Sequence, residues 1–315
     1  MRYYFAPLEG LTDSIYRKLH YQYFGGPDRY YTPFLSPTVH RALTNREKRE
    51  LPDALLNGIP VVPQVLTKSV EDFVWLAGVC RDLGYGEINL NLGCPSGTVT
   101  AKGKGAGMIR DLDALDRFLD GIFSRSPLFI SIKTRIGFEH CDEWEPLLNL
   151  YNRYPMAELI IHPRVRKDFY NGPVDMEAFR YAFRESKAPV CYNGGLCTKR
   201  DLANIQAEFP RLSAVMLGRG LIADPGLLVP SGTDIATLEA FHDALLMEYI
   251  RVFGSERNAM FRMKENWRYW LCKFEDSEKL GKRLRKATDM NEYRQIAEQV
   301  FSTLRLMPDT CPDWD

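Results

Sequence analysis

Eight short runs rich in β-branched and aromatic residues constrain the fold of this chain more than any other feature. They are "RYYFAP" (2–7), "RYYTPF" (29–34), "VVPQVL" (61–66), "EINLNL" (87–92), "LFISIKT" (128–134), "AELIIHP" (157–163), "PVCYNGG" (189–195) and "SAVMLGRG" (213–220). Between most of them lies a helical pattern, such as 69–84 and 111–125. In the first, Val70, Phe73, Val74, Ala77 and Cys80 recur at helical spacing and make one apolar face. Ser69 followed by Asp72 predicts the N-cap, and Gly84 the C-cap. Strand alternating with helix means βα units and a parallel sheet. Eight units close a (β/α)8 TIM barrel. A doubly wound open sheet is the rival, but the turn after the first run, "APLEGLTD", carries no GxGxxG fingerprint.

After Gly226 the pattern changes. Residues 237–254, 256–274 and 290–307 carry helical patterns without a convincing strand. The expected organisation is a catalytic barrel over residues 1–230 followed by a smaller all-helical domain over 231–315. Trp267, Tyr269 and Trp270 are expected in the core of that second domain. Formal net charge is zero, so a nucleic-acid partner would have to meet a local basic patch. The N-terminus has no signal-peptide h-region, and no run approaches the ~20 apolar residues of a membrane span. A cytoplasmic monomer, with no membrane or metal partner, is the expectation. The seven cysteines show no CxxC pair, which argues against a zinc or iron–sulfur site. Most of them are expected to be small buried hydrophobes.

In such a barrel the chemistry sits at the C-terminal ends of the strands. The first run ends in Ala6-Pro7, the third supplies Gln64, and the fourth gives Asn89, Asn91 and then Cys94. The fifth gives Lys133 and Arg135, the sixth His162 and Arg164, the seventh Asn193-Gly194-Gly195, and the eighth Gly218-Arg219-Gly220. Singly, each has a bland reading: an asparagine caps a turn, a histidine satisfies a backbone group, a lysine is a solvated rim. Six strands presenting donors at one end is a stronger pattern. Glycine-rich turns after the last two strands suit a phosphate, with Arg219 adding a fork for its oxygens. Lys133 suits the edge of a flat, electron-accepting ring, and Gln64 offers it an amide. Phosphate plus such a ring points to flavin mononucleotide (FMN).

The ordered set "APLEGLTD" (6–13), "PQVL" (63–66), "NLNLGCP" (89–95), "KGKGAGMIRD" (102–111), "KTRIG" (133–137), "HPRVRKDFYNG" (162–172), "NGG" (193–195) and "MLGRG" (216–220) resembles the tRNA-dihydrouridine synthases. The resemblance covers nearly the whole chain. It implies an FMN enzyme that uses NADPH to reduce the C5–C6 bond of particular uridines in tRNA. By the same resemblance Gln64, Lys133 and His162, with Ala6, Pro7 and Leu8, match flavin-contacting positions. Asn193, Gly194, Gly195, Gly218 and Arg219 match its phosphate cradle. Asn91, Arg135 and Tyr170 match positions that hold the target uracil, and Cys94 matches the catalytic cysteine.

There are departures from the family pattern. Gly195 stands where Asp is frequent, Val165 and Asp168 replace Thr and Gln, Leu8 replaces the commoner Met, and Met108-Ile109 replace a Leu-Leu pair. These bear on subfamily and uridine position. The expected grip on tRNA is the basic run at 279–289, with Lys282, Arg283, Arg285 and Lys286, supplemented near the barrel rim by Arg164, Arg166 and Lys167. The rival readings are an FMN barrel oxidoreductase acting on a free pyrimidine and a tRNA-binding homologue without activity.

Overall fold

The computed structural model describes residues 1–38, 40–52, 54, 58–307 and 310. Cys311 and the other undescribed positions at the end of the expected helical domain lie outside that range. All eight runs form strands, and every pairing is parallel. The strands are β1 (Arg2–Phe5), β2 (Arg29–Tyr31), β3 (Val61–Val62), β4 (Gln64–Val65), β5 (Glu87–Leu92), β6 (Phe129–Arg135), β7 (Leu159–His162), β8 (Val190–Tyr192) and β9 (Ala214–Leu217). Their order is β3-β2-β1-β9-β8-β7-β6-β5-β4.

The two ends of that order, β3 and β4, are one strand of chain interrupted by Pro63. Proline has no N–H to give to a ladder, so the strand breaks there. Its carbonyl still accepts from Asn89 N at 2.8 Å, and β4 goes on to pair with β5. The sheet therefore closes on itself as a (β/α)8 barrel, and a run of helices follows it in the chain.

The helices form where the apolar periodicity places them. Ser69 caps helix Val70–Asp82 by accepting from Asp72 N, and Phe73, Ala77 and Cys80 on its inner face are buried. Leu83 ends that helix and Gly84, at φ +85°, takes the left-handed turn after it. Asp111 caps helix Leu112–Arg125 in the same way.

By contacts the chain falls into two compact units. One comprises Met1–Pro7, Asp28–Gly194 and Pro210–Met216; the other comprises Leu8–Pro27, Gly195–Phe209 and Leu217–Asp315. Along the strands of the first, Phe5, Tyr30, Val65, Leu90, Ile132, Ile160 and Val215 are shut off from water on one face of the sheet or the other. The second unit contains helices Ile235–Phe253, Glu256–Trp270, Glu278–Lys286 and Met290–Thr303. Trp267 and Trp270 are buried in it, with Trp267 Nε1 donating to Tyr293 Oη at 2.9 Å. No described helix is long and apolar enough to cross a membrane.

Candidate active site

Side chains alternate faces along a strand, so Asn89 and Asn91 on β5 share one face. Register sets Gln64 beside Asn89, Asn89 beside Ser131, and Asn91 beside Lys133. The polar groups join into a ladder. Gln64 Nε2 donates to Asn89 Oδ1 (2.8 Å), Asn91 Nδ2 donates to Gln64 Oε1 (2.8 Å), and Asn89 Nδ2 donates to Ser131 Oγ (2.9 Å). Gln64, Asn89 and Ser131 are fully buried, and a satisfied chain of amides is what makes that burial tolerable. The free end of Asn91 faces the next turn: its Oδ1 accepts from Gly93 N (3.1 Å) and Cys94 N (2.9 Å). Asn91 therefore couples the ladder to the thiol-bearing turn.

Lys133 is half-buried at the end of the ladder. Among the described residues nothing bonds or ion-pairs with its ammonium. Burial, and next the repulsion of Arg135, bring its pKa down from 10.5 to about 8. A cation held without a counter-charge is suited to a ligand that is anionic or accumulates electrons. Arg135 is 1% exposed and mostly committed: Nε donates to Gly93 O (2.9 Å) and Nη1 to Val165 O (3.0 Å). The exposed ring of Tyr170 lies 5.2 Å from its guanidinium carbon and 6.0 Å from the His162 ring. His162 Nε2 lies 2.9 Å from Arg164 Nη1. Arginine only donates, so this nitrogen is the acceptor and the ring proton belongs on Nδ1.

Cys94 is half-buried in the turn after β5, and none of the six described cysteines is in a disulfide. Its carbonyl accepts from Ala106 N at 3.1 Å, which folds the following segment back over it. Gly105, at φ +56°, makes that return possible: a Cβ there would lie 3.0 Å from both Cys94 Cβ and Cys94 O. Among the described residues no group of three or more His, Cys, Asp or Glu could hold a metal ion. Cys80, Cys191 and Cys197 are buried as expected, whereas Cys272 is half-buried and Cys141, at the start of a 3-10 turn, is exposed.

The first unit thus gathers Gln64, Asn91, Cys94, Lys133, Arg135, His162 and Tyr170 on neighbouring strand ends and the turns after them. Ala6 and Pro7 follow β1 in the same unit. Asn193 follows β8 and donates from Nδ2 to Met216 O (2.8 Å). A Cβ on Gly194 would come within 2.9 Å of Val174 Cγ1.

In the second unit Leu8 N donates to Thr12 Oγ1 (2.8 Å), and Gly195 takes φ +63°. Gly218 caps the short helix Arg219–Ala223. Gly220 has no room for a side chain, since a Cβ would sit 2.2 Å from Leu196 O. Lys282, Arg283, Arg285 and Lys286 line the exposed face of helix Glu278–Lys286, whose Leu280 and Leu284 face inward.

Of the three basic residues expected at the rim, only Lys167 is exposed. Arg164 is buried and donates twice to Gly172 O, at 3.2 and 2.8 Å. Arg166 donates to Pro95 O at 3.1 Å. The sequence alone reveals neither of these commitments, nor the part of Gly105, because each depends on which loops meet in space.

Fold and site together define a (β/α)8-barrel enzyme. The sequence pattern of the family described as Dihydrouridine synthase (Dus) matches residues 4–307. Similar curated proteins include a "Probable tRNA-dihydrouridine synthase" of Staphylococcus aureus (strain COL), 27% identical over 235 residues, covering 70% of this chain and 68% of that protein. Another is a "tRNA-dihydrouridine(16) synthase" of Cupriavidus necator, 28% identical over 233 residues and covering 72% of each. Among solved structures, a mutant of morphinone reductase in complex with tetrahydroNAD superposes with a TM-score of 0.51 at 12% identity, covering 75% of this chain and 89% of that one, a likeness of fold. The chain belongs to the dihydrouridine synthase family and is an enzyme of the oxidoreductase class.

Proposed function

We propose that this chain is a flavin-dependent tRNA-dihydrouridine synthase, reducing the C5–C6 double bond of particular uridines in tRNA with NADPH. The observation that carries the reading is Lys133. In a chain of this family, a half-buried cation without a counter-charge ends a buried amide ladder and stands within electrostatic reach of Cys94.

The ring of FMN would be held by Gln64, Lys133 and His162 with Ala6, Pro7 and Leu8, and its phosphate by Asn193, Gly194, Gly195, Gly218 and Arg219. Held there, FMN would supply hydride chemistry toward C6 of uracil, with NADPH as the reductant. The chain's own task is then to handle charge and a proton. Lys133 offsets negative charge beside it. Cys94 gives a proton to C5 and is afterwards reprotonated from solvent. An ordinary thiol has a pKa near ~8.5 and so carries that proton at neutral pH. Asn91 fixes the turn from which the thiol acts, and Asn91, Arg135 and Tyr170 receive the base.

A stacked uridine cannot reach a barrel mouth and has to be flipped out, with the rest of the tRNA gripped by shape and phosphate contacts. Lys282, Arg283, Arg285 and Lys286 on one solvent-facing helix suit that grip. In this reading residues 1–230 form the FMN-binding catalytic domain and residues 231–315 the tRNA-binding one, and the enzyme works as a cytoplasmic monomer.

Cys94→Ala tests the role of the thiol. It is expected to bind FMN and tRNA normally and to lose about 10²–10⁴-fold in the rate at which tRNA reoxidises the reduced enzyme. Reoxidation at the wild-type rate would remove Cys94 from the reaction.

A further inference from the structure

We infer that Arg166 is a positioning residue for Cys94, clamping the turn that carries the thiol. The peptide carbonyls on either side of Cys94 are each held by a guanidinium. Gly93 O accepts from Arg135 Nε at 2.9 Å, and Pro95 O accepts from Arg166 Nε at 3.1 Å. Arg166 Nη2 also lies 3.4 Å from Thr100 Oγ1, reaching the far end of the short helix that follows the turn. Bonds from a charged donor are the stronger kind, and two of them bracket a single residue.

The clamp is itself held in place. Arg166 lies over the rings of Phe138 (5.2 Å) and Phe169 (5.0 Å), and its backbone N donates to Gly137 O at 2.9 Å. Phe169 adopts φ +52°, a left-handed backbone that is costly for a bulky residue, while its ring covers the guanidinium. A lysine could donate to Pro95 O but has no planar fork to lie against the rings and reach Thr100 together.

This inference rests on the reading of Cys94 as proton donor, but its first test does not. In Arg166→Gln, amide hydrogen exchange at Ala106, which donates to Cys94 O, is expected to speed up at least tenfold, with β5 and β6 unchanged. Reduction by NADPH should stay at the wild-type rate while reoxidation by tRNA falls at least tenfold. Arg166→Lys should recover only part of both. Wild-type exchange at Ala106 in Arg166→Gln would overturn the clamp, as would acceleration spread evenly through the barrel. If wild-type enzyme is not reoxidised by tRNA, the functional reading fails and exchange alone decides the clamp. Should Arg166→Gln not fold, Phe169→Leu takes its place: about threefold faster exchange at Ala106 supports the clamp, and no change overturns it.

Discussion

Replacing Lys133 by methionine should make the apoprotein more stable while disabling the enzyme. The side chains are of similar length, so the change mainly deletes a charge. Folding lowers the lysine pKa from 10.5 to about 8, through burial first and Arg135 second. Each pKa unit is about 1.36 kcal/mol, so the charged lysine costs the folded state roughly 3 kcal/mol. The cost is fully present below pH 8, where both folded and unfolded chains carry the proton. Between about pH 8 and 10.5 the folded chain releases its proton first, the unfolded chain binds more, and wild-type stability rises. Urea unfolding of the apoproteins reads this directly. Lys133→Met should be more stable by roughly 3 kcal/mol at pH 7 and by only about 1–2 kcal/mol at pH 9.5. The same variant should retain less FMN and turn over more slowly. A variant no more stable than wild type at pH 7, or a gain that does not shrink at alkaline pH, would refute the reasoning about an uncompensated, half-buried cation.

Other parts of the structure give further expectations. Gly105→Ala forces a side chain into a left-handed position and against Cys94; it should cost about 1 kcal/mol in unfolding and slow single-turnover reoxidation at least tenfold while leaving flavin content unchanged. His20 is buried among Tyr16, Phe24 and Phe241, and its Nε2 contacts Pro225 O at 2.9 Å. Burial lowers its pKa to about 3, so its contribution is intact above about pH 6.5 and is lost as pH falls. Wild-type stability should drop by about 2 kcal/mol more than that of His20→Gln between pH 6.5 and 5, and parallel pH curves for the two proteins would exclude this histidine.

Much of the barrel was legible because strand and helix periodicities differ and each run bears its own punctuation. Ser69, Asp111 and Gly84 mark helix ends through local backbone chemistry that needs no tertiary partner. Pro63 lies inside the third run and breaks it into two strands without hiding it. The strand-end residues were legible for a related reason: Gln64, Asn91 and Lys133 are polar where the strand interior is apolar. What those side chains touch was not. The alternation in "EINLNL" puts Asn89 and Asn91 on one face, but their coupling through Gln64 depends on register across β4, β5 and β6. Arg164 and Arg166 read as rim charges because nothing local distinguishes a solvated arginine from one that binds the carbonyl of another loop.

The most direct test of the proposed activity is to reduce the purified enzyme anaerobically with NADPH and mix it with unmodified tRNA or with free uracil or uridine, following flavin absorbance and mapping dihydrouridine base by base. Rapid reoxidation by tRNA, with dihydrouridine at defined positions and little response to the free pyrimidines, is the expected result. Reoxidation by a free pyrimidine and not by tRNA, or a purified protein with no flavin spectrum and no response to added FMN, would contradict it.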